Sequence, residues 1–113
     1  MHEKYQTCID ACNAAIIACE QCATACALEA DPKLMARCID LDRQCALVCR
    51  TAAALMAADS EFAASFCNLC SDVCRACADE CSNHELDHCQ KCAETCERCA
   101  EECETMASAV SYP

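Results

Sequence analysis

The sequence predicts an all-α protein, an antiparallel up-down-up-down four-helix bundle with a cysteine-lined core. Three observations predict it. Glycine is absent and proline occurs twice among 113 residues, so turns needing a positive φ are rare and helix formers fill most positions. Cysteine, at 18 positions, recurs at alternating spacings of 3 and 4, the inward seam of a helix with a seven-residue repeat. Helix-stop and helix-start residues at Asp31-Pro32, Asp59-Ser60 and Ser82-Asn83-His84-Glu85 cut the chain into four long stretches.

The first helix is expected from His2 to Glu29, with Tyr5, Cys8, Cys12, Ala15, Cys19, Cys22 and Cys26 on one seam. Asp31 then caps and Pro32 opens a second helix running to Ala57, since proline lacks only an N–H that the first turn does not use. Two registers are open to it. One seam takes Met35, Cys38, Asp42, Cys45, Cys49, Ala52 and Met56; the other takes Leu34, Cys38, Leu41, Cys45, Val48, Ala52 and Leu55. The first is preferred because it captures all three thiols. Asp42 is then expected to tilt to solvent while Leu41 fills its place, because an unpaired buried carboxylate is costly; a ligand role is the lesser reading. Asp59-Ser60 is expected to cap a third helix from Ser60 to Cys81, with Ala63, Cys67, Cys70, Cys74, Cys77 and Cys81 inward. Ser82 to Glu85 reads as a capping box opening a fourth helix to Ala109, with Cys89, Cys92, Cys96, Cys99, Cys103 and Met106 inward. Short connections between helices of about 22 to 28 residues make consecutive helices antiparallel neighbours.

Residues 1–113 read as a single domain, with no compositional break to mark a linker. Leu, Ile, Val and Phe are few, and protonated thiols make up the apolar deficit because they pack as small hydrophobes. A net charge of −11 with scattered basic residues excludes nucleic acid and an anionic membrane surface as partners. No apolar run approaches the roughly 20 residues of a membrane span, and the first residues lead into an amphipathic segment instead of a signal sequence, so a cytoplasmic location is expected. In that reducing compartment thiols stay free, and metal binding is a better reading than a disulfide framework.

Stacking the seams antiparallel gives six layers from the loop between the third and fourth helices upward. They are Cys26/Cys38/Cys81/Cys89, Cys22/Asp42/Cys77/Cys92, Cys19/Cys45/Cys74/Cys96, Ala15/Cys49/Cys70/Cys99, Cys12/Ala52/Cys67/Cys103 and Cys8/Met56/Ala63/Met106. Every cysteine of the chain falls in one of them, which scattered structural cysteines would not do. Pairs such as Cys8/Cys12, Cys22/Cys26, Cys45/Cys49, Cys70/Cys74, Cys77/Cys81, Cys92/Cys96 and Cys99/Cys103 each share a helix face and can grip one soft ion.

Charge selects the ion. Thiolates crowded into a narrow apolar tube repel one another, so the metal-free core holds neutral thiols and each loses its proton as metal enters. One univalent cation per thiolate leaves the tube neutral, whereas zinc in four-thiolate sites leaves two negative charges per ion. Iron–sulfur cluster spacings are absent. Multiple Cu(I) ions per chain, roughly one per thiol, fit best; a zinc or mixed-metal detoxification protein, metallothionein-like, is the alternative. No nucleophile stands beside a general base, so an enzyme is not expected.

On the CxxxC pairs, the CxxCxxxCxxCxxxC runs of the last two helices and the CSNHELDHC connection, the chain resembles the bacterial cysteine-lined four-helix-bundle copper storage proteins, specifically their cytosolic branch. That resemblance implies a bundle filled with Cu(I) along its axis, assembly into a homotetramer, and a storage or buffering role in which a copper chaperone is a possible donor or acceptor. The gaps at Ala15, Asp42, Ala52 and Ala63 are expected to lower ligand density locally.

Residues at the two mouths complete the candidate set. Met56 and Met106 lie at one, where thioethers either pass copper inward or plug the core. His84 and His88 lie at the other, with Met35 near Cys26, Cys38, Cys81 and Cys89; this mouth has the full thiol layer and is the expected point of uptake. Met1 and His2 also carry donor atoms, but no further terminal site is expected there. Ile9, Ile16, Ile17, Leu47, Phe62, Phe66 and Leu69 fall off the seams, as flanking core or as tetramer packing.

Overall fold

Residues 3–109 are described by the structure, a computed structural model. Four helices make it up: α1 Glu3–Ala27, α2 Ala36–Ala57, α3 Ala63–Ser82 and α4 Asp87–Ala109, with a short 3-10 helix, Pro32–Met35, leading into α2. Each helix packs on its chain neighbours and α4 closes back on α1, forming a tube of 51 × 19 × 17 Å. Cysteine and alanine dominate the interior, and such small side chains let the helices approach closely. Across α3 and α4 the outer face is tied by Arg75, whose Nε donates to Glu104 Oε1 at 2.7 Å, while Ser71 Oγ donates to the same oxygen at 2.9 Å.

The element boundaries depart from the caps read in the sequence. Pro32 does open an element, but its first turn is 3-10, a common form at a helix start, and Asp31 makes no side-chain cap. The turn after α2 is a Schellman motif without glycine: Asp59 takes the left-handed conformation at φ 52°, its N–H donates to Met56 O at 3.0 Å, and Ser60 N–H donates to Leu55 O at 2.9 Å. Asp59 therefore ends α2, and Ser60 caps only the turn before α3, its Oγ accepting from Phe62 N–H at 3.0 Å. The capping box at Ser82 does not form. Ser82 stays in the last turn of α3, with its hydroxyl donating to Asp79 O at 2.8 Å, and α4 starts at Asp87. Cys81 and Cys89 must both face inward on antiparallel helices, so the residues between them are spent reversing the chain. Gln90 holds that reversal, its Nε2 donating to Ser82 O at 3.2 Å and to His84 O at 2.6 Å.

The seams fall as expected. Tyr5, Ala15, Met35, Ala52, Met56, Ala63 and Met106 are buried alongside the thiols, and α2 adopts the register with Met35, Asp42 and Met56 inward. Leu34 is exposed, which sets aside the competing register. Of the apolar residues off the seams, Ile9, Ile16 and Phe66 pack against the core, while Ile17, Leu47, Phe62 and Leu69 are exposed. Met1 and His2 lie outside the described residues.

Candidate metal centre

All eighteen cysteines are free thiols and all are buried. Their sulfurs form a continuous column. On the rungs, Cys38 and Cys81 approach to 3.3 Å, Cys45 and Cys74 to 3.5 Å, Cys19 and Cys96 to 3.5 Å, Cys49 and Cys70 to 3.7 Å, and Cys8 and Cys103 to 3.6 Å. Along single helices, Cys22 and Cys26 lie 3.7 Å apart, and Cys45/Cys49, Cys70/Cys74 and Cys92/Cys96 lie 3.9 Å apart. Cys67 sits beside Cys8 and Cys103. No sulfur in this column needs to move far for one small ion to bridge two thiolates.

The expected layers are staggered in the structure, because antiparallel helices place facing side chains at different heights. Four-sulfur groups within 4.8 Å of one another therefore draw on adjacent layers: Cys12 with Cys49, Cys70 and Cys99; Cys19 with Cys45, Cys77 and Cys96; Cys22 and Cys26 with Cys38 and Cys89. The first group corrects an expectation. Sulfur density does not fall beside Ala15, since Cys12 reaches in from the adjacent layer to within 3.7 Å of Cys99 Sγ.

Asp42 is the second correction. It does not tilt to solvent; its exposure is 0%, and Leu41 is buried beside it without displacing it. The cost of burial is met by thiols acting as donors, with Cys77 at 3.2 Å, Cys92 at 3.4 Å and Cys81 at 3.5 Å from Oδ1 and Cys38 at 4.0 Å from Oδ2. Burial pushes the carboxyl up to about 8, so near neutrality it is largely protonated. Two groups of close donors, with Cys19, Cys77 and Cys92 and with Cys22, Cys81 and Cys92, include one of its oxygens.

The two mouths differ. At one end Tyr5, Cys8, Met56, Ala63 and Met106 are all buried, with Met56 at 0% exposure, and they seal the column. At the other, His88 Nδ1 lies 3.5 Å from Cys89 Sγ and 3.7 Å from Cys26 Sγ. Burial raises both of these thiols, Cys89 to about 11. His84 is turned away, its Nε2 2.8 Å from Glu80 Oε2, and Glu80 also meets Arg37 Nε at 3.5 Å. Met35 is buried one turn before Cys38. Sequence reasoning missed Glu29, whose Oε2 lies 3.3 Å from His88 Nε2. The signal was there: Glu29 extends the α1 seam one step of three beyond Cys26.

A family model described as copper storage protein matches residues 1–108. The chain belongs to the copper storage protein family. Solved relatives carry the same fold. The Cu(I)-bound copper storage protein BsCsp3 is 44% identical, with a TM-score of 0.90 over 93% of this chain and 99% of that one. A cytosolic copper storage protein from Streptomyces lividans, described with five coppers, is 32% identical, with a TM-score of 0.91 over 96% of each chain. An uncharacterized cysteine-rich protein of Bacillus subtilis, YhjQ, is 44% identical over 88 residues, 78% of this chain and 82% of its own. As a copper storage family member, the chain shares its fold with the two solved relatives over nearly its whole length. Among its described residues no helix is long and apolar enough to cross a membrane.

Proposed function

We propose that this protein stores and buffers Cu(I) in the cytoplasm, as a single domain over residues 1–113 and without enzymatic activity. The observation that carries this reading is the column of free thiols, neighbouring sulfurs of which lie as close as 3.3 to 3.7 Å across the helices. Its ligands are Cys8, Cys12, Cys19, Cys22, Cys26, Cys38, Cys45, Cys49, Cys67, Cys70, Cys74, Cys77, Cys81, Cys89, Cys92, Cys96, Cys99 and Cys103. His84, His88, Met35, Met56 and Met106 serve the ends of the column. Each Cu(I) replaces a thiol proton, which leaves to solvent, so the interior stays neutral while it fills. The exposed side chains of Ile17, Leu47, Phe62 and Leu69 support assembly into a homotetramer. A copper chaperone is the natural donor or acceptor, because free Cu(I) is held scarce by any competing thiol.

Titrating the reduced protein with Cu(I) against a competing chelator tests the reading. Uptake of roughly 18 ions per chain is expected, one per thiolate. A plateau below about half that number would mean that the column is not one continuous site. The close four-sulfur groups keep zinc in view as a second reading. Saturation near four Zn(II) ions with weak copper uptake would establish it instead.

Copper enters at the loop between α3 and α4, where His88 meets Cys26 and Cys89, because the opposite end is closed by Tyr5, Met56 and Met106. Cu(I) loading of Met56→Leu/Met106→Leu is expected at the natural rate, while His84→Ala/His88→Ala loads at least about tenfold more slowly. The reverse ranking places uptake at the methionine end.

A further inference from the structure

We propose that Glu29 is a positioning residue for copper uptake, acting by fixing the His88 imidazole with its Nδ1 lone pair toward Cys26 and Cys89. The inference rests on the copper-storage reading and deepens it. Its basis is that both His88 ring nitrogens have partners of opposite character. Nε2 lies 3.3 Å from Glu29 Oε2. A carboxylate only accepts, so Nε2 carries the proton. Nδ1 lies 3.7 Å from Cys26 Sγ and 3.5 Å from Cys89 Sγ, two thiols that can donate to a ring nitrogen. A ring held in this way presents two sulfurs and one nitrogen to an arriving soft cation. The carboxylate also strengthens the imidazole as a donor, as a hydrogen bond on the far nitrogen does at metal sites generally.

The placement of Glu29 is built into the chain reversal after α1. Its backbone N–H donates to Cys26 O at 3.2 Å, so the same turn that ends the helix fixes both the sulfur and the carboxylate that flank the ring. This contact is partly shielded, with side-chain exposures of 23% for His88 and 34% for Glu29. A groove of about 290 Å³ between α1 and α4, lined by Ala18, Gln21, Asp87, His88, Lys91 and Cys92, brings solvent to the outer edge of the ring. His84 has no comparable arrangement. Its Nε2 meets Glu80, and no sulfur is paired with it among the described residues.

The test is a double-mutant cycle on the rate at which the first equivalents of Cu(I) transfer from a chelator of known affinity. Glu29→Ala is expected to slow this step about tenfold, Glu29→Gln less, and Glu29→Ala/His88→Ala no more than His88→Ala alone, since Glu29 acts through the ring. Total capacity of Glu29→Ala should be unchanged. Nitrogen-15 NMR of the metal-free protein gives an independent readout: His88 is expected as the Nε2–H tautomer with Nδ1 unprotonated, and as a mixture in Glu29→Ala. Natural loading rates in Glu29→Ala beside slow loading in His88→Ala, additive losses in the double variant, or an unchanged tautomer would each overturn the proposal. Failure of the unaltered protein to take up Cu(I) would instead overturn the storage reading, and the NMR comparison would still decide the role of Glu29.

Discussion

Asp42→Asn is expected to remove a loss of stability of the metal-free protein that, in the natural chain, amounts to up to about 6 kcal/mol between about pH 4 and pH 8. The sign follows from where the proton sits. Burial raises the folded carboxyl from its ordinary 3.8 to about 8, so below that window both folded and unfolded chains hold the proton and the group contributes no difference. Within the window only the folded chain holds it. Each pH unit then favours the unfolded state by up to about 1.4 kcal/mol, and the loss is complete once pH passes the folded value. Eighteen free thiols in the unfolded chain titrate at about 8.5 and add a loss of their own as pH approaches 8, but the asparagine variant carries the same thiols, so the difference between the two proteins isolates the carboxyl. Asparagine keeps the shape and a carbonyl acceptor for Cys77 and Cys92 while removing the charge. Urea denaturation of both reduced proteins across the window measures the effect. Parallel stability curves would show that Asp42 is ionised inside the fold at neutral pH.

Asp42 also marks the limit of what the sequence discloses. The cysteine spacing specifies the helix faces and, together with the short connections, the antiparallel stacking, and in α2 only one register brings Cys38, Cys45 and Cys49 all inside. A carboxylate on the same seam is read outward on general grounds, since burying it unpaired is costly. Only the assembled core shows that donors from α2, α3 and α4 converge on it. The same limit applies to Cys12, whose help to the Ala15 layer depends on the vertical offset between helices. Cap residues misled for a different reason. Ser82 and Ser60 are good caps in isolation, but the inward demand on Cys81 and Cys89, and the Schellman turn at Asp59, decide where the chain turns. His84 and His88 look equivalent by spacing from the loop. Their contacts separate them, because His88 adjoins Cys89 in α4 whereas His84 lies in the reversal and swings back onto Glu80 of α3.

Filling the column with Cu(I) is expected to stabilise the bundle more than any substitution can, by on the order of 10 kcal/mol or more. Each site held at a free-ion concentration 100 times its dissociation constant contributes about 2.7 kcal/mol, and the contributions of many sites accumulate. Binding of Cu(I) to thiols of the unfolded chain subtracts from this sum, yet an open chain cannot bring Cys12 of α1 to Cys99 of α4, or Cys38 of α2 to Cys81 of α3, at 3.7 and 3.3 Å. Copper bridging such pairs ties all four helices together from inside. The metal-free protein provides the reference, and it is expected to be helical and cooperative, because neutral thiols and alanines pack as an apolar core with Met56, Tyr5 and Met106 closing one end. In this it differs from a zinc finger, whose ligands cannot fold the chain without metal. Circular dichroism melts of reduced protein, metal-free and after stepwise loading, measure the difference. The expected result is a moderate melting temperature without metal that climbs with each addition, until the filled protein keeps its helices to the boiling point. A filled protein melting within about 5 °C of the empty one would mean that copper remains at the mouth around His88, Cys26 and Cys89 and does not cross-link the interior.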